Sequence, residues 1–296
     1  MKKLSPSIQF VLLLIVSGIL WGRPLVSTFA LALNNGEYTH ILLIAPVSIA
    51  LIFLEWKSSR SSPSPGVQVG SGLLALSILL ACLTRWGVPD LPPDVHLAMS
   101  MLALVIWWLG SFVFAFGTRI SLRFLFPLCF LFLMVPLPEF ALDHTVVFLQ
   151  QQSAYATQFL FSAVGIPVIR NGMFISIPGV TVEVARECSS IRSSLMLLVT
   201  SMVLAHLFLH SFWRKTTVVL AAIPLSIAKN GVRIFTLSML GVHVDPGYLH
   251  GSLHKKGGVV FFILALLFVV LLLWVLGRGE KKAVQNPVLI PDQRSA

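Results

Sequence analysis

Apolar residues run along this chain in long blocks, and polar residues gather between the blocks rather than alternating with them. That pattern is neither a surface helix nor a half-buried strand. A helix that spans a bilayer needs about 20 predominantly apolar residues. Eight stretches fit or come close: 8–33, 40–56, 70–88, 96–116, 124–137, 194–211, 216–240 and 257–276. Arg23-Pro24 interrupts the first, which reads as a kinked span or as two shorter pieces. The fifth is the shortest, at about 14 residues. One long segment, 138–193, is not plainly a crossing. Its first half, 140–165, mixes apolar residues with Asp143, His144 and Gln150 to Gln152, as an amphipathic helix lying at a membrane interface would. Its second half, IPVIRNGMFISIPGVTVEVARE, alternates around Asn171-Gly172 and Pro178-Gly179 and predicts a small β-hairpin. The expected fold is an all-α polytopic membrane protein of about eight transmembrane helices, with a small extracytoplasmic interfacial helix and β-hairpin before the sixth span. A single membrane domain covers 1–280, and 281–296 forms a disordered tail.

Composition agrees with the pattern. Hydrophobic residues make up 56% of the chain and charged residues 11%, whereas a soluble domain is about a quarter charged. The mean hydropathy is +0.90. A net charge of +10 would fit a nucleic-acid binder, but the charges fall in short clusters at the ends of apolar blocks. They therefore report topology, and no nucleic-acid partner is expected. Lys2, Lys3, Lys57, Arg60, Arg119, Arg123, Arg214, Lys215, Arg278, Lys281, Lys282 and Arg294 fall at alternate ends of successive spans, 12 of the 21 Lys and Arg on one side. The other side carries 8 of the 11 acids. By the positive-inside rule both termini are cytoplasmic, and 138–193 lies outside. A cleaved signal peptide is the competing reading of Lys2-Lys3 and the apolar run that follows; it leaves the remaining topology unchanged.

Three cysteines offer no disulfide framework and no CxxC pattern. Cys82 and Cys129 sit inside apolar runs and read as small hydrophobes. Cys188 differs: in VEVARECSSIRSS it is flanked by Arg186, Glu187, Ser189, Ser190 and Arg192, just before the sixth span. Nearby cations raise the thiolate fraction of a thiol, although an inert interfacial cysteine has the same local sequence. The seventh span holds Lys229, Asn230 and Arg233. A basic residue within a span costs about 3 kcal/mol on insertion scales, which makes it a functional candidate, with snorkelling or pairing to an interfacial acid as the alternative. Asn230 and Arg233 share a helix face. If the span ends near Leu240, Arg233 lies about 10 Å below its outer end.

The loop before the last span contributes His243, His250 and His254, side chains that titrate near neutral pH. Zinc on His250 and His254 is an alternative, weakened by Gly251 and the lack of an HExxH acid. His254, nearest the last span, is the better candidate for a base. His40, His96, His144, His206 and His210 read as structural. Topology thus brings a thiol, a guanidinium and an imidazole to one membrane face. A thiol nucleophile attacking a carbonyl needs a base and an oxyanion donor.

Most of the chain resembles the exosortase/archaeosortase membrane transpeptidases. EYTHILLIAP, FPLCFLFLMVPLP, GIPVIRNGMFISIPGVTVEVARECSSIRS, PLSIAKNGVRI and HKKGGVVFF carry the likeness through their order and spacing. The resemblance implies Cys188 as nucleophile, Arg233 as oxyanion or transition-state stabiliser, and His254, through its H-x-x-x-G spacing to Gly258, as general acid/base. Asn230, Arg192, Ser189 and His250 are the supporting residues around them. Ser190 stands where the family usually has glycine, so the backbone after the nucleophile lacks that residue's freedom to adopt positive φ. The implied substrates are secreted proteins with a C-terminal sorting signal made of a short motif, a hydrophobic helix and a basic tail. Cleavage through a thioacyl intermediate would pass them to an acceptor, a membrane lipid, an amine or water. No cofactor is implied, and the implied location is the bacterial cytoplasmic membrane with the active site on its outer face. The rival from another class is a secondary transporter with Lys229, Asn230 and Arg233 along a solute path, for which paired inverted-repeat signals are lacking.

Overall fold

The computed structural model describes residues 5–56, 66–87, 90–184, 186, 191–245 and 258–285. Among the described residues, seven helices are long and apolar enough to cross a membrane. The number becomes eight if Leu125–Met134 and Glu139–Ala163 are counted as one broken span. The protein is thus the all-α polytopic membrane protein that its apolar blocks predict. It divides into two compact units, Met1–Asp143 and His144–Ala296.

The first unit contains α1 (Pro6–Asn34), α2 (Ile41–Trp56), α3 (Val67–Cys82), α4 (Pro93–Phe116), α5 (Thr118–Arg123) and α6 (Leu125–Phe130). Ser5 caps α1 by accepting from the backbone N–H of Ile8, with Pro6 at the first helical position, where its missing N–H is no loss. The helix runs on through Pro24, so Arg23-Pro24 does not divide it. α4 supplies the centre of this unit: Met101, Leu104 and Val105 are fully buried. Glycine lets α3 lie close against it. A Cβ on Gly70 would stand 2.5 Å from the Cα of Phe114, and one on Gly110 would stand 3.0 Å from the Cβ of Leu73. In lipid, where no hydrophobic drive pulls helices together, such close backbone approach is what holds them. Exposed Ile19, Leu33 and Ile49 on the outside are the counterpart, a surface suited to acyl chains.

The stretch 124–137, expected as a fifth span, is not one helix. α6 stops at Phe130, a 3₁₀ turn covers Leu131–Met134, and Pro136 and Pro138 follow. Proline disfavours helix in the residue before it, which accounts for the extended Val135 that ends the helical run after Met134. α3 likewise ends in a single π turn, Leu83–Gly87.

The second unit takes in α7 (Glu139–Ala163) from His144 onward, then β1 (Ile169–Asn171), β2 (Phe174–Ile177), β3 (Val180–Glu183), α8 (Ile191–Phe208), α9 (Phe212–His243) and α10 (Gly258–Gln285). The amphipathic helix expected over 140–165 is α7. The expected hairpin gains a strand and becomes an antiparallel meander in the order β1-β2-β3, with Asn171 opposite Phe174 and Ile177 opposite Val180. Its first loop is Gly172-Met173, one residue later than the Asn171-Gly172 expected. Its second is Pro178-Gly179 with Gly179 at φ +93°, the residue order and positive φ of a type II turn. One core joins α8, α9 and α10 through Leu197, Val218, Ala265 and Val269. A second seats the sheet on α7 and α9 through Ala154, Phe161, Ile175, Val184 and Ile234. α10 continues to Gln285, into the segment expected to be a disordered tail.

Candidate active site

The frame of the site is a polar stripe on α7. Gln150, Ser153 and Thr157 stand at i, i+3 and i+7, one helix face, and all three are buried. Phe148, Tyr155 and Phe159 on the same helix are exposed. The helix therefore buries these polar residues beside Leu142, Val146 and Leu149 and exposes large apolar side chains on its other side. Each stripe residue has a defined task. Gln150 donates from Nε2 to the carbonyl of Val184 at 2.7 Å, fixing the chain as it leaves β3. Ser153 Oγ accepts from Asn230 Nδ2 at 2.9 Å. Thr157 donates to the Ser153 carbonyl at 2.8 Å and lies 3.4 Å from the carbonyl of Gly231.

Gly231 is what allows α7 and α9 to come this close. A Cβ there would stand 2.7 Å from the Cβ of Ala156. Gly231→Val is expected to push the helices apart and cost about 1–3 kcal/mol, as overpacking does. Thermal unfolding in detergent would read this as a lowered Tm. Gly18→Val is the comparison, since a Cβ at Gly18 meets nothing within 4 Å. An equal Tm for the two variants would remove the close approach from the account.

The cations of α9 face the same way. Lys229, Asn230 and Arg233 are 7%, 1% and 8% exposed, so the helix face expected from their spacing exists and is buried. Lys229 Nζ donates to Ser193 Oγ on α8, and a second hydroxyl pair, Ser194 with Ser226, ties α8 to α9. The Arg233 guanidinium lies against the start of α10: its Nη1 is 3.8 Å from where a Cβ on Gly258 would stand. Because α9 extends to His243, Arg233 lies ten residues from its end, about 15 Å rather than the 10 Å expected. Beside this face, Phe148, Leu149, Ile191, Leu198, Ile223 and Ser226 are among the residues lining an apolar cavity of about 230 Å³ between α7, α8 and α9.

Of the residues singled out in the sequence, Lys229, Asn230 and Arg233 are thus brought together. Arg192 is not among them; it is exposed on the first turn of α8. Cys188, Ser189, His250 and His254 lie outside the described residues. Ser153, Thr157, Ser193 and Ser226 belong to the frame and were missed. The i, i+3, i+7 spacing of Gln150, Ser153 and Thr157 in an otherwise apolar helix was the available signal.

A polytopic helical protein with a buried, hydroxyl-anchored cationic face on one of its spans is the class that this fold and site define. The family model for the transmembrane exosortases matches residues 21–271, and the chain belongs to that family. Membership implies a sorting transpeptidase in general terms. Neither the curated proteins nor the solved structures contain a match.

Proposed function

We propose that the protein is a cysteine transpeptidase that cleaves the C-terminal sorting signal of secreted proteins at the outer face of the bacterial cytoplasmic membrane. The observation that carries this reading is the buried face of Lys229, Asn230 and Arg233, anchored to the two segments that adjoin the expected nucleophile and base. Lys229 bonds Ser193, five residues after Cys188; Arg233 lies against Gly258, four residues after His254. Cys188 precedes Ile191, the first residue of α8, by three residues, and three residues of chain reach at most about 11 Å. A thiol tethered this closely to the cationic face is where a nucleophile with an adjacent oxyanion donor would be built.

In the proposed reaction His254 takes the proton of the Cys188 thiol, the sulfur attacks the scissile carbonyl carbon and a C–S bond forms. The carbonyl electrons move to oxygen, which accepts hydrogen bonds from Arg233. As the tetrahedral intermediate collapses, the C–N bond breaks, and His254 gives its proton to the leaving amine. The substrate is then held as a thioester, which conserves the energy of the peptide bond without a nucleotide. An acceptor amine, a lipid-borne nucleophile or water attacks next, His254 takes its proton, and the thiolate departs. The apolar cavity beside Ile191 suits side chains of the hydrophobic helix that follows the motif.

The test is co-expression with a secreted reporter bearing a sorting tail. Wild-type protein is expected to shorten the reporter, and a short-lived adduct that hydroxylamine releases is expected on the enzyme. Shortening with no thioester under any trapping condition, together with processing that survives loss of the thiol, would sink the covalent mechanism.

A further inference from the structure

A second polar site lies in the first unit, within residues 1–143, and shares no residue with the proposed cysteine site. α1, α3 with its terminal π turn, and α4 enclose a cavity of about 520 Å³, within the ~300–1,000 Å³ of small-ligand pockets. Arg23, Arg85 and His96 line it, one from each of these three elements, and among the described residues no acidic side chain does. Arg23 stands 17 residues beyond Pro6, about 25 Å along α1. Arg85 stands 18 residues beyond Val67, about 27 Å along its own helix and turn. His96, three residues into the returning α4, completes the same end. A hydrocarbon layer is about 30 Å thick, so the length of α3 with its π turn sets Arg85, and His96 at the start of α4, near one edge of such a layer. Arg23 lines the same cavity from α1, which continues beyond it to Asn34. A cation at that depth needs a counter-charge. The π turn that presents Arg85 is a local departure from α-helix of a kind frequent at functional sites.

The same cavity has an apolar end. Ile19, Leu20 and Ile78 line it and are 79%, 56% and 48% exposed. Ile19 and Leu20 lie four and three residues before Arg23, about one helical turn toward Pro6 on the same face of α1. The site therefore offers positive charge at the interface and a greasy track below it, the complement of a molecule with an anionic head and a hydrocarbon tail. We propose that this cavity binds an anionic phospholipid, its phosphate held by Arg23 and Arg85 with His96 beside them, and its acyl chain lying along Ile19, Leu20 and Ile78. An acidic peptide would satisfy the two arginines but not the exposed apolar track. A free phosphate would leave that track uncovered.

Native mass spectrometry of the full chain in detergent, titrated with phosphatidylglycerol and with phosphatidylcholine, tests this. Wild-type protein is expected to retain phosphatidylglycerol at least tenfold better than phosphatidylcholine. R23Q/R85Q is expected to lose that preference, and R119Q, which changes an exposed arginine outside the cavity, to keep it. Inorganic phosphate at equal concentration is expected not to displace the lipid. Equal retention of the two lipids by wild type overturns the proposal without reliance on any variant. So does full displacement by inorganic phosphate, or Arg23-dependent binding of an acidic peptide with no lipid preference.

Discussion

Cells carrying Cys188→Ala are expected to accumulate unprocessed substrate, with cleavage reduced by at least ~1,000-fold, because the proposed covalent route would disappear with its nucleophile. Among the described residues, a lysine and two hydroxyls of this face already hold partners. Lys229 is committed to Ser193, and the hydroxyls of Ser194 and Ser226 bond each other. Cys188→Ser should leave at most a trace, since a hydroxyl lacks the ready ionisation that makes a thiol useful near neutral pH. Cys82→Ala and Cys129→Ala should process normally: the first lies within α3 and the second is exposed on α6, both outside residues 144–296. Pulse-chase labelling of the reporter, with membrane abundance of each variant measured in parallel, gives the rates. Normal processing by an abundant Cys188→Ala variant would abandon the nucleophile and revive a solute path along Lys229, Asn230 and Arg233.

How far the sequence reveals this arrangement depends on which physical signal each part leaves. Spans are legible because lipid demands about 20 apolar residues for a crossing. Seven of the eight expected spans therefore correspond to long helices. The remaining one, 124–137, is broken rather than continuous, because apolar content says nothing about continuity, and its helical run ends at Met134, just before Pro136 and Pro138. The sheet was visible in its turn residues, but its loops lie one residue away from one of them, since Asn-Gly marks a turn without fixing which pair occupies the loop. At the site, Lys229, Asn230 and Arg233 stood out because charge within a span is costly. Their hydroxyl partners did not, because serine and threonine cost little in an apolar run and show their purpose only when two helices meet. Ser153 and Ser193 are such residues: each accepts from the α9 face, from α7 and from α8 respectively.

On the proposed mechanism, Arg233→Ala is expected to lower the processing rate by about 100- to 1,000-fold, the usual consequence of losing an oxyanion donor. The protein should nonetheless reach the membrane at least as well as wild type, because removing a buried cation from α9 relieves an insertion cost of about 3 kcal/mol. That combination separates a role in the reaction from one in holding the helices together. A structural arginine would lower abundance and rate in parallel. Arg233→Lys is the sharper variant. It keeps the charge but gives up the planar fork, and its ammonium is a more strongly hydrated point charge. If Arg233 meets the developing oxyanion, lysine should recover part of the rate with little change in the concentration of substrate needed for half-maximal processing. If it instead orients the peptide through paired hydrogen bonds, lysine should require markedly more substrate. Wild-type rates in an abundant Arg233→Ala variant would remove the guanidinium from the reaction and leave its burial beside Gly258 to a structural role.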